Sequence, residues 1–193
     1  RGVVITDLTG TGETATDKSK FKDFVFNNFS RSLLWLGKTV LGEWANEIDI
    51  VTAFLRSDFN AKKITLQGAK EAGLACLFLG AAKGNIDEII LRDAPVSYLF
   101  DNRENVDFFS SAIYLPGFLN WGDVSLAAAL AGSNVTFIRP VTMSGQVVSG
   151  NVLNKYKAEF EKIRRVCKLG GQTFFVETPD SFSTVVPKRR DGS

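Results

Sequence analysis

"ITLQGAKEAGLA", residues 64–75, decides how this chain is read. Ile64, Thr65 and Leu66 begin a buried strand, with β-branched residues suited to a pleated surface. Gly68 then allows a sharp turn, and a helix begins with no linker. That helix, "EAGLACLFLGAA" over residues 71–82, is apolar nearly all round. Such a helix has to be buried against other elements. A strand turning directly into a buried helix is the building unit of a parallel α/β sheet.

The same alternation extends in both directions. "GVVITDL", residues 2–8, is an apolar run suited to a buried parallel strand. It begins at position 2, which reads as a piece of a longer polypeptide. "TGTGET", residues 9–14, is a turn. Residues 21–36 hold Phe21, Phe24, Phe26, Phe29, Leu33, Leu34, Trp35 and Leu36 in a helix or a packed loop. From Leu41 to Arg56 the apolar positions Trp44, Ile48, Val51, Phe54 and Leu55 recur at helical spacing.

"KKITLQG" (62–68), "DEIILRDAP" (87–95), "NVTFIRPV" (134–141) and "QTFFVET" (172–178) read as further strands. Residues 104–131 hold two helical pieces interrupted at "LPGFLNWGD". Residues 152–168 alternate apolar and charged faces at helical period, and Gly170 and Gly171 stop that helix. The expected fold is α/β, a mainly parallel sheet of about five strands flanked by helices. Residues 1–178 form the domain, and residues 179–193 are a polar tail that reads as a mobile terminus.

Composition narrows the function. The hydrophobic fraction is 45%, and the net charge of +2 is too small to suggest nucleic acid or a membrane surface as partner. No apolar run approaches the ~18 residues of a membrane span, and no signal-peptide pattern is expected. Cys76 and Cys167 fall in helical stretches and read as two buried small hydrophobes. There is no histidine. A Ser-His-Asp or Cys-His site therefore lacks its general base, and an imidazole zinc site is excluded. No cofactor or metal is implied.

The stretch Gly68-Ala69-Lys70-Glu71-Ala72-Gly73 can now be set against the nucleophile-elbow pattern G-x-S-x-G. Gly68 stands two before the central residue and Ala72 two after it. Gly73 gives a second point of close approach. Lys70 holds the place of the serine. With Asp7, Gly10 and Gly12 of the first loop, and "IILRDAPVSY" and "YLPGFLNWGDVSLAAALAGSNVTFIRPV" downstream, the chain resembles the α/β-hydrolase family in its acetyl xylan esterase-like branch. The resemblance runs from about residue 2 to about residue 178 and covers the second half of such a fold. It implies a partial α/β-hydrolase fold without the early strands and without one oxyanion-hole amide. It also implies carbohydrate esters as the ancestral substrate class, a carbohydrate as ligand, and export from the cytoplasm.

All three triad places depart from the family pattern. The nucleophile place is Lys70. The acid place offers Thr142, Met143 and Ser144 but no carboxylate, and the base place offers Asp180 and no histidine. The expectation is a hydrolase-like domain that has lost catalysis and acts by binding or by supporting a partner domain. The alternative is a carbohydrate-esterase-type hydrolase whose working residues lie on polypeptide not present here. Partners then include a missing N-terminal part or another copy of the chain. The resemblance places a family strand between residues 2–8 and 62–67 that this chain lacks. The expected outcome is direct pairing of those two segments, with five strands in chain order and the Lys70 turn at the sheet's C-terminal edge.

Simpler roles stand beside these. Lys70 is either a low-pKa nucleophile or a solvated or carboxylate-paired lysine. Glu71 suits the start of a helix, where the dipole favours a carboxylate. Ser97 satisfies a local turn, and Ser110, Ser111 and Ser144 have no histidine to activate them. The glycines of "GTGET" lack the lysine of a phosphate loop. Trp35, Trp44 and Phe118 read as core, with Trp121 open as a sugar-stacking residue. Lys162, Arg164, Arg165 and Lys168 form a solvated face near a helix C-terminus.

Overall fold

The computed structural model describes residues 2–15 and 24–177. Helix α1 spans Phe24–Trp35 and α2 spans Val40–Ser57. The start of α2 is fixed by Thr39, whose hydroxyl accepts from the Gly42 N–H at 3.0 Å, satisfying one orphan donor of the first turn. Strand β1 (Thr65–Ala69) runs directly into α3 (Lys70–Lys83). Gly84, at φ 64°, ends α3 in the left-handed conformation that favours glycine. Strand β2 (Glu88–Arg92), α4 (Val124–Leu130), β3 (Asn134–Ile138), α5 (Gly150–Cys167) and β4 (Thr173–Val176) complete the alternation.

The four strands form one parallel sheet in the order β1-β2-β3-β4. The middle strands carry the core: Ile89, Leu91, Val135 and Phe137 are sealed from solvent. Helix α3 covers β1 and β2 and packs between α2 and α4, burying Leu74, Ala75, Cys76, Leu77 and Leu79, as its all-round apolar composition requires. Phe160 of α5 meets Phe137 and Phe175 edge-on, at 5.6 and 5.2 Å between ring centroids. That trio docks α5 on β3 and β4. Among the described residues, no helix is long and apolar enough to cross a membrane.

The first expected strand is absent. Residues 2–7 pair with no strand, and Val3 and Ile5 are 89% and 84% exposed. Within the described residues β1 pairs only with β2, so the direct pairing expected between residues 2–8 and 62–67 does not occur and the sheet has four strands rather than five. The chain is captured immediately afterwards. Asp7 Oδ2 accepts from the Glu13 N–H at 3.0 Å, and the Leu8 N–H donates to Thr11 Oγ1 at 2.9 Å. Trp44 Nε1 donates to the Thr9 carbonyl, and the Thr9 N–H donates to Glu47, each at 2.9 Å. The loop from Asp7 onward is thereby tied to α2. Strand propensity at residues 3–6 finds no ladder to join.

Smaller differences have local causes. Residues 104–114 are not helical beyond one 3-10 turn at Ser111–Ile113. Helix α5 ends before the glycines, at Lys168, which adopts φ 55°. Gly171, at φ 85°, instead lies where any Cβ would overlap the Ser133 backbone. Trp35 is 85% exposed rather than core. Cys167 is only half-buried, on the amphipathic α5, whereas Cys76 is buried in α3.

Candidate functional site

The turn between β1 and α3 has the geometry that its small residues suggest. A Cβ on Gly68 would lie 2.6 Å from the Gly73 nitrogen and 2.7 Å from the Ala72 carbonyl carbon. A Cβ on Gly73 would lie 3.0 Å from the Gly68 oxygen. Strand and helix touch backbone to backbone, so Gly68 cannot carry a side chain without displacing the turn. Lys70 sits at the apex with φ 50°, a conformation rare for a residue with a Cβ.

Lys70 is not alone in this. Asp93, after β2, and Arg139, after β3, have φ 53° and 51°. Three successive strands thus end in a charged residue held in the left-handed region. Such backbone costs of order 1–3 kcal/mol per residue and concentrates at functional sites. Arg139 Nε donates to Asp93 Oδ1, while the Asp93 and Arg139 amides donate to the Ile138 and Val176 carbonyls at 3.0 and 2.8 Å. Asp93 and Arg139 are thus held by hydrogen bonds to the neighbouring strand.

Lys70 is exposed, and its Nζ lies 4.4 Å from the centroid of the Phe108 ring. That contact is a cation–π interaction, and solvent supplies the rest of the ammonium's solvation. Glu71 lies in the first turn of α3, where the helix dipole favours a carboxylate. Its Oε1 accepts from the Ser110 N–H at 2.6 Å and ties the distant 101–110 segment to the elbow.

The segment after β3, where Thr142, Met143 and Ser144 lie, meets a carboxylate that sequence spacing did not reveal. Asp101 Oδ2 accepts from Ser144 Oγ at 2.7 Å, and Oδ1 accepts from the Ser144 N–H at 3.3 Å. Ser144 and Thr142 are buried, with their hydroxyls 3.0 Å apart. Partial desolvation pushes the Asp101 carboxyl up, but the hydrogen bonds from Ser144 and Thr142 outweigh it and leave the group below its ordinary value. Asp101 comes from 43 residues upstream of Ser144, so no local pattern announces it. The Ser144 hydroxyl donates to this carboxylate, and the chain has no histidine beside it.

The remaining candidates separate. Ser97 Oγ donates to Asp123 and accepts from the Leu99 N–H at 3.0 Å, so it joins a local turn to the start of α4. Trp44 is core, and Phe118 packs 5.2 Å from both Phe78 and Tyr98. Trp121 is 86% exposed. Arg164 and Arg165 both pair with Glu161 at 2.9 Å, and those hydrogen bonds bring the Glu161 carboxyl down to about 2. Asp180, at the place expected for a base, and the whole polar tail lie outside the described residues. Among the described residues no group of three or more His, Cys, Asp or Glu side chains is placed to hold a metal ion.

Neither a scan against protein-family models nor searches of curated proteins and of solved structures returned a match. The architecture is a parallel α/β sheet flanked by helices, with a tight strand–helix elbow at its C-terminal edge.

Proposed function

We propose that this chain is an α/β-hydrolase-like domain of the acetyl xylan esterase-like kind that has lost acyl transfer and acts by binding, with a carbohydrate as its ligand. The elbow carries the reading: a strand entering a helix through Gly68, Gly73 and an apex residue at φ 50° is the arrangement that presents a nucleophile in that family. At this apex stands a lysine beside an aromatic ring, and the chain contains no histidine to serve as base. The buried Ser144 supports the same reading, because its hydroxyl already donates to Asp101. The exposed indole of Trp121 offers a face for a sugar ring.

The test is an ester assay on the pure chain with 4-nitrophenyl acetate and acetylated xylan. Hydrolysis at the buffer rate is expected. Turnover well above that rate, abolished by Lys70→Ala, would refute the loss of catalysis and establish a lysine mechanism.

A further inference from the structure

The loop over the elbow is fastened at both ends. Asp101 binds Ser144 in the segment after β3, and the Ser110 amide binds Glu71 in the first turn of α3. Between these anchors, residues 103–107 are exposed. Phe108 turns inward, with its ring against the Lys70 ammonium. Gly145, at φ 82°, also lies against Phe108, and any Cβ there would overlap the ring. Phe109 is buried and meets Phe108 edge-on at 4.9 Å.

The segment therefore bridges the turn after β1 and the loop after β3, the two strands that flank β2. Phe108 thus covers the turns that follow β1 and β3 with its own ring. Accepting the elbow as the ligand site, we infer that residues 101–110 are a strap that closes the C-terminal edge of the sheet, with Phe108 as its plug. Displacing the strap uncovers the face of Lys70 that the Phe108 ring now covers. Glu71 and Asp101 are then positioning residues that hold the closed form.

The experiment labels lysines of the intact chain with sulfo-N-hydroxysuccinimide acetate and follows Lys70 and the exposed Lys63 by peptide mass spectrometry. Hydrogen–deuterium exchange of residues 101–110 is measured alongside. Phe108→Ala and Asp101→Ala are each expected to raise the Lys70 rate about two- to fivefold, the weight of an exposed cation–π contact. Lys63 should keep its rate, and exchange across 101–110 should quicken. Asp101 is exposed, and the buried Ser144 hydroxyl keeps Thr142 as a partner when it is replaced. Unchanged Lys70 labelling in both variants, or Lys63 rising in step with Lys70, would overturn the strap. Ester hydrolysis plays no part in this readout. The strap can fail while the loss of acyl transfer stands, and a positive ester assay would leave the strap in place.

Discussion

Residues 2–8 and 64–69 are both short and rich in strand-forming residues, and each leads into a glycine-containing segment. One lies in a parallel ladder with Leu66 opposite Ile89 and Gly68 opposite Leu91. The other extends into solvent, with Val3, Val4 and Ile5 all exposed. Composition does not separate them. The element next in the chain does. Residues 64–69 feed at once into α3, which buries Leu74 and Leu77 and holds the strand against β2. Residues 2–7 feed into a loop tied to α2 by Trp44 and Glu47. A strand is a pairing, and β propensity records only readiness for it.

The comparison can be broken first at its buried end. Ile89→Ala, which empties a fully buried site on β2, should cost about 2–5 kcal/mol in urea unfolding. A cost under about 1 kcal/mol would mean that the sheet is not the core. Gly68→Ala tests the elbow. Its methyl would press on the backbone of Ala72 and Gly73, and overpacking of this kind costs about 1–3 kcal/mol. A neutral result would show that strand and helix do not meet backbone to backbone at this turn. The smallest effect belongs to the open segment: Ile5→Asp should change stability by no more than about 0.5 kcal/mol, as surface substitutions do. A loss near that of Ile89→Ala would show that residues 2–6 are packed in solution.

Much of the fold was legible because its signals are local. Helical spacing over residues 41–56 matches α2, and the all-round apolar helix after Gly68 matches α3. The four paired strands arise from apolar runs bounded by turns, and their chain order is the sheet order. The elbow was visible as Gly68, Lys70, Ala72 and Gly73 because backbone contact leaves room only for small residues. What the sequence hid depends on distance. Nothing near Asp101 points to Ser144, and nothing near Glu71 points to Ser110. Trp35 looked like core because its neighbours are apolar, but a helix has an outer face, and Trp35 lies on it.

The two thiols divide along the same line between buried and open. Cys167 is half-buried near the end of α5, whereas burial within α3 pushes the Cys76 thiol up to about 12. Only a thiolate reacts readily with alkylating reagents. Cys76 is therefore silent while the core is shut and becomes reactive when it opens. The chain carries its own clock: iodoacetamide uptake at Cys76 times the opening of the sheet, and uptake at Cys167 supplies the reference tick.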